Sequence, residues 1–260
     1  MNWILLSPDE LQPDQTVRLT GHRAHHARTV LNARPGQSLR VGLIDGPLGI
    51  ADVLPNGEST AEAEDVLHLR PRWTSDLPPP RPRIDLLLAL PRPKVLKRLW
   101  PVLASLGVGH IYLSNAWKVE RSYFDSPALT ADHIRAGLIE GLQQAGDTRL
   151  PRVTLHRFLR PFIESELPTR PPYAMKLVAH PVPAEASAPS LLARLAPLAD
   201  LPSDARLLLA VGPEGGWIPD ELTLLQAAGF APLTLGSRIL RTDTACIVLL
   251  GLLNAALSKK

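Results

Sequence analysis

Ala205-Arg206-Leu207-Leu208-Leu209-Ala210-Val211-Gly212-Pro213-Glu214-Gly215-Gly216-Trp217-Ile218-Pro219-Asp220 is the stretch that decides the fold. An unbroken apolar run ending at Val211 is what a strand covered on both faces requires. The chain then leaves that strand through glycines and enters a helix opened by Pro219-Asp220. Glycine lets backbone approach a ligand closely, and proline fixes the shape of the loop. Glu214 could accept hydrogen bonds from hydroxyls or an amine. A plain strand-to-helix turn also uses glycine, so this loop alone names no ligand.

Working outward, strands and helices alternate. Strands are expected at Ile84–Leu90, Gly109–Leu113, Met175–Ala179, Ala205–Val211 and Pro232–Leu235. Helices are expected at Lys94–Leu106, Ala128–Gln144, Ser190–Leu198, Asp220–Ala228 and Thr242–Leu257. This pattern implies a mostly parallel sheet with helices on both faces, whose ligands bind beyond the carboxyl ends of strands. The segments after Ala179, Val211 and Leu235 are therefore the places to look. The first seventy residues read differently, with short strands at Trp3–Leu6, Ser38–Ile44, Gly49–Val53 and Glu62–Leu69 and one helix at Thr20–Ala33 that stops at Pro35-Gly36. The prolines of Pro71–Pro82 should admit neither helix nor sheet. The domains expected are 1–75, β-rich, and 76–260, α/β.

The chain has 260 residues, 45% of them hydrophobic and 20% charged, which is the balance of a folded protein and excludes a disordered one. Its 27 prolines are about twice ordinary usage. No apolar run reaches the roughly 18 residues of a spanning helix. Met1-Asn2-Trp3-Ile4 does not read as a signal peptide, and the single cysteine, Cys246, cannot close an internal disulfide. A cytoplasmic, metal-free protein is expected. Charge is concentrated: residues 81–160 hold 13 basic and 6 acidic side chains, and Arg18, Arg23, Arg28, Arg34 and Arg40 follow one another without an intervening acid. Such surfaces suit a polyanion such as RNA, although compensating acids nearby would make them plain solvated faces.

A second segment, Leu235-Gly236-Ser237-Arg238-Ile239-Leu240-Arg241-Thr242-Asp243-Thr244-Ala245, also leaves a strand through glycine and enters a helix. Thr242 is expected to cap that helix and Asp243 to complement its dipole. Neither role explains Arg238 and Arg241. There is no phosphate-binding Gly-x-x-x-x-Gly-Lys-Ser/Thr loop and no Gly-x-Gly-x-x-Gly after the first α/β strand. His22, His25 and His26 lack the cysteine or carboxylate companions of a zinc site. Cys246 in an apolar helix reads as packing, and Ser237 lacks a hydrolase context.

The pair formed by Val211-Gly212-Pro213-Glu214-Gly215-Gly216 and Leu235–Ala245 resembles the signature of the RsmE family, which methylates N3 of a uridine in small-subunit (16S) ribosomal RNA. His25-x-x-x-x-Val30-Leu31 with Arg34-Pro35-Gly36, Leu106-Gly107-Val108-x-x-Ile111 and Glu120-Arg121-Ser122 extend the resemblance over nearly the whole chain. It implies an α/β fold of the SPOUT type, a parallel sheet with a C-terminal trefoil knot, preceded by a small PUA-like β-barrel. It also implies S-adenosylmethionine as cofactor, a homodimer, and ribosomal RNA or the small subunit as partner.

Carried onto this chain, the resemblance places the cofactor against Ala179, His180 and Pro181, against Gly212, Pro213, Glu214, Gly215 and Gly216, and against Leu235, Gly236, Ile239, Leu240, Arg241, Thr244 and Ala245. Arg241 is the first choice for the group that stabilises charge on the uracil, Arg238 the second, and Glu214 could orient cofactor or base. Arg18, Arg23, Arg28, Arg121 and Arg149 are expected phosphate contacts. The chain departs from the family at Gln143-Gln144-Ala145-Gly146-Asp147, at Asn32 and at Asp243. The first departure leaves open another RNA target such as transfer RNA. A ribosome assembly factor that binds RNA without catalysis is the rival of another class.

Overall fold

A computed structural model describes residues 3–55, 66–181 and 191–258. Contacts divide the chain into two compact units, Met1–Arg81 with Ile139–Leu150, and Pro82–Leu138 with Pro151–Lys260.

In the first unit, strands β1 (Ile4–Leu6), β2 (Val17–Thr20), β3 (Ser38–Leu43), β4 (Leu48–Val53) and β5 (Val66–Trp73) form one sheet in the order β1-β3-β4-β5-β2. β1 runs parallel to β3, and the other pairs are antiparallel. Alternation places Val17 and Leu19 of β2 and Leu67 and Leu69 of β5 in one core, where Ala24 and Ala27 of helix α1 (Gly21–Thr29) also pack. α1 ends before Pro35-Gly36, and Asn32 takes the left-handed conformation (φ 54°). β5 runs through Pro71, against expectation. Pro71 pairs with Ala51 of β4, while the register with β2 ends at Leu69, so no ladder on that side needs an amide from Pro71. The expected strand Glu62–Leu69 is described only from Val66, and the expected helix from Ser190 only from Leu191.

The segment Gln143–Asp147 ends α3 (Ala131–Ala145) and belongs to the first unit. Its unusual residues have work there. Gln143 O accepts from Trp3 N (3.1 Å), and Gly146 (φ 70°) lies against the Trp3 ring, where a Cβ would collide with the indole. Asp147 Oδ1 accepts from Thr148 N (2.6 Å) and Arg149 N (2.9 Å).

The second unit holds β6 (Ile84–Ala89), α2 (Pro93–Ser105), β7 (Val108–Ser114), most of α3, β8 (Arg152–His156), the single turn α4 (Leu159–Pro161), β9 (Met175–Ala179), α5 (Leu191–Leu195), β10 (Leu207–Val211), α6 (Pro219–Ala227), β11 (Phe230–Leu233) and α7 (Thr242–Leu257). The sheet order is β11-β9-β10-β6-β7-β8, and every neighbouring pair is parallel. All residues of β6 and β10 are buried, the signature of central parallel strands. α7 packs on β10, β6 and α2. No helix among the described residues is long and apolar enough to cross a membrane.

Candidate functional site

β9, β10 and β11 end side by side at Ala179, Val211 and Leu233, and the loops that follow enclose a cavity of about 370 Å³. That volume lies in the usual range for small-molecule sites. Ala179, His180 and Pro181 line it, as do Gly212, Pro213, Glu214, Gly215 and Gly216. Leu235, Gly236, Arg238, Ile239, Leu240 and Ala245 complete most of the wall. Arg241 and Thr244 do not line it: Arg241 stands exposed at the position just before α7, and Thr244 faces outward in the first turn. Two glycines are there for conformation. Gly216 (φ 69°) and Gly236 (φ 102°) take backbone angles that disfavour side chains. Gly212 is there for space, since a Cβ would sit 3.2 Å from Trp217 N and Nε1.

The two signature loops are joined by Thr242. Its hydroxyl does not cap α7 as expected. The side chain is buried and donates to Gly212 O (3.3 Å), while Arg241 occupies the cap position and Asp243 Oδ1 accepts from Thr244 N (2.9 Å). Asp243 Oδ2 also pairs with Arg98 of α2 (3.1 Å). Glu214 turns one carboxylate oxygen to α2, accepting from Arg92 N (3.0 Å) at the start of that helix. Lys118, which follows β7, donates to Gly215 O (2.6 Å) and lines the cavity. The reading of local motifs missed Lys118, which lies nearly a hundred positions before the loop it holds; its place just beyond a strand's carboxyl end was the available signal.

The cavity keeps polar groups in reserve. Trp217 Nε1 and His180 Nδ1 are buried without a hydrogen-bond partner among the described residues. The backbone amides of Leu235, Ile239 and Leu240 donate to no other described backbone group. Burial, then the charge of Lys118, lowers the pKa of His180, which favours a neutral imidazole. Cys246, fully buried beneath the site, has its thiol pushed up to about 12 by burial, which suits packing and not nucleophilic chemistry.

The expected RNA contacts separate into two kinds. Arg18 on β2 and Arg121 after β7 are exposed and have no partner among the described residues. Arg23 is held by Glu10 and by Leu5 O (2.6 Å), Arg28 donates to Val66 O (2.5 Å), and Arg149 Nε donates to Pro79 O (2.6 Å).

Comparison with known proteins comes to the same place. A family model described as an RNA methyltransferase domain matches residues 78–254. The chain is 30% identical over 250 residues to the ribosomal RNA small subunit methyltransferase E of Treponema pallidum, covering 94% of this chain and 87% of that one. It is 31% identical over 243 residues to the protein of the same name from Mycobacterium bovis, covering 92% and 86%. A crystal structure of a ribosomal RNA small subunit methyltransferase E from Neisseria gonorrhoeae, bound to S-adenosyl methionine, shares the fold, with a TM-score of 0.70 at 22% identity over 98% of this chain and 97% of that one.

Proposed function

The chain belongs to the ribosomal RNA small subunit methyltransferase E family of RNA methyltransferases, and from that premise we propose that it methylates N3 of a uridine in 16S ribosomal RNA with S-adenosylmethionine as methyl donor. The observation that carries this reading is the cavity beyond β9, β10 and β11, closed by the two glycine loops that Thr242 ties together.

The residues present fit the cofactor. Leu235, Ile239 and Leu240 combine apolar side chains with amides that donate to no described backbone group, which is what a purine edge needs. Trp217 Nε1 and His180 Nδ1 supply further polar partners. Bound there, the cofactor supplies an electrophilic methyl group. The chain's own task is to present uridine N3 in line and to stabilise the negative charge that spreads over N3, O2 and O4 when N3 loses its proton. Arg241 and Arg238 fit that role, being exposed beside the cavity and in no ion pair with a described residue. Glu214 anchors its loop through Oε1 and keeps Oε2 for a hydroxyl or amine. Of the expected phosphate contacts, Arg18 and Arg121 are those without a partner among the described residues, so RNA binding weakens steeply with salt.

The same reading extends to architecture. The chain leaves edge strand β11, returns past Gly212 and continues as α7 over β10 and β6, the path a trefoil knot would take. The curled sheet of the first unit is read as PUA-like, with the domains following the two compact units. Ile247 and Val248, exposed apolar residues on α7, give a homodimer its surface. Such an enzyme works in the cytoplasm, where its RNA is.

The test is to incubate small ribosomal subunits from cells lacking the enzyme with purified protein and methyl-labelled S-adenosylmethionine, then identify the nucleoside by mass spectrometry. Labelled 3-methyluridine is expected. Label confined to transfer RNA would replace the substrate, and RNA binding without any label or cofactor binding would overturn the enzyme.

A further inference from the structure

A second cavity, about 330 Å³, lies at the same end of the six-stranded sheet, between the loops that follow β7 and β8 and the start of α6. Trp117 and Phe158 line it, and both rings are open to solvent, 80% and 67% exposed. Buried aromatics are abundant in this unit, so two rings left in water at the mouth of one groove call for an occupant. Asn115 also lines the groove, and its buried Oδ1 has no hydrogen-bond partner among the described residues. A side-chain amide offers both an acceptor and donors, the pair of functions that the edge of a nucleobase requires.

The groove and the cofactor cavity share a wall. Asn115, Ala116 and Trp117 face the groove, and the next residue, Lys118, faces the cavity. Likewise Gly212–Trp217 line the cavity, and the next residue, Ile218, lines the groove. Glu221, in the first turn of α6, fixes the wall: its carboxylate accepts from Trp117 N (2.7 Å) and from Ile218 N (3.0 Å), and Lys118 closes the other edge on Gly215 O. The groove's own lining carries one cation, Arg160, and two acids, Asp220 and the hydrogen-bonded Glu221, and further cations stand around it. Arg160 lines the groove in an ion pair with Glu164, Arg157 stands over the Phe124 ring, and Lys118 and Arg121 flank the loop, against Asp220 as the groove's exposed acid.

We propose that this groove receives an unstacked base of the RNA, held between Trp117 and Phe158 and read by Asn115, next to the nucleotide presented to the cofactor cavity. Every base has a π face, so exposed aromatic rings bind single-stranded RNA, and neighbouring cations track its phosphates. The occupant is thus RNA rather than an apolar peptide, which would gain nothing from the buried amide or the cations. The inference rests on the methyltransferase reading and adds the site that positions the substrate strand.

The experiment compares parent, Trp117→Ala, Phe158→Ala, Asn115→Ala and Trp117→Tyr. Binding of a fluorescein-labelled single-stranded oligouridylate is followed by anisotropy, S-adenosylmethionine binding by calorimetry, oligomeric state by light scattering, and methyl transfer to small subunits by label. Each ring-to-alanine change is expected to weaken oligouridylate binding by about tenfold or more. Cofactor affinity should stay within twofold, the KM for subunits should rise more than kcat falls, and Trp117→Tyr should restore binding. Parental RNA binding in Trp117→Ala and Phe158→Ala would overturn the groove while parental methylation left the enzyme reading intact. A shift from dimer to monomer with RNA affinity unchanged would overturn it in favour of an interface between copies. A parent that methylates no RNA would instead overturn the enzyme reading, and oligouridylate binding would still decide the groove.

Discussion

The two ends of the six-stranded sheet carry polar clusters of opposite character. At the amino end, Asp85 of β6 is completely buried, yet its oxygens are taken: Arg206 Nη2 reaches both (2.5 and 2.6 Å), and Tyr173 Oη donates to one (2.6 Å) while meeting Tyr112 Oη (3.0 Å). From there contacts run across the strands toward the other end: His110 stacks on Tyr112, and Thr154 bridges His110 to His156, the last residue of β8. At the carboxyl end, Trp217 Nε1, His180 Nδ1 and Asn115 Oδ1 are unpaired among the described residues, and Trp117, Arg238 and Arg241 face outward. Burial raises the pKa of Asp85 and lowers that of His110 to about 4, so perturbed ionisation alone would point to the amino end. Satisfaction of hydrogen bonds points the other way. At the amino end both oxygens of Asp85 are taken and, of the side-chain atoms of that cluster, Arg206 Nε alone is buried without a partner among the described residues, against three such atoms at the carboxyl end. A cluster that answers its own polar groups holds the fold together; one that leaves them open is waiting for a ligand.

The comparison breaks if the roles can be exchanged by mutation. The largest effect is expected for Asp85→Ala, which leaves Arg206 and Tyr173 facing an empty buried site; denaturant unfolding should show a loss of about 3–5 kcal/mol. Unchanged stability with lost cofactor affinity would reverse the assignment. Next comes Arg241→Ala, expected to lower turnover by about 100-fold, or ~2.7 kcal/mol, with cofactor affinity kept; parental turnover would remove its role. Gly236→Ala should follow, at roughly 1–2 kcal/mol, because alanine resists φ 102°. Thermal unfolding should show a melting temperature lower by a few degrees, about 2–4 °C per kcal/mol, and calorimetry should find weaker S-adenosylmethionine binding.

The smallest effect sharpens the comparison through pH. His110, kept neutral chiefly by burial and then by Arg170, has a folded pKa of about 4 against an ordinary 6.5. Between those values the unfolded chain binds a proton that the folded chain refuses, so stability falls as pH drops through that window. His156 and His180, also lowered by burial, act with the same sign, and Asp85, raised by burial, acts with the opposite one. The melting temperature of His110→Gln should therefore fall less than the parent's between pH 6.5 and 4. Parallel curves would contradict the account of His110.

What was legible in the sequence follows from how each residue is held. Strand β9 at Met175–Ala179 and helix α7 at Thr242–Leu257 have the expected bounds because each is a nearly continuous apolar run, although only Leu177 and Val178 of β9 and one face of α7 are buried. Strand β8 escaped, since Arg152–His156 is an edge strand half open to solvent and alternates polar with apolar residues. The loops Gly212–Gly216 and Leu235–Leu240 were legible because glycine at special angles is itself a sequence signal. Lys118, Trp117, Asn115 and Glu221 were not, because each acquires its role by contact across the fold. Glu221 did leave a faint trace, standing three residues after Ile218 as the second half of a capping box.

The most direct measurement is calorimetric titration of S-adenosylmethionine into the parent protein, Ala245→Phe and Asp85→Asn. Ala245 lines the cavity beyond β9, β10 and β11, so a phenyl ring there fills the space without touching the amino-end cluster. The account predicts binding to the parent, binding within twofold by folded Asp85→Asn, and loss of binding by a folded Ala245→Phe. Parental affinity in Ala245→Phe, or its loss in a folded Asp85→Asn, would contradict it.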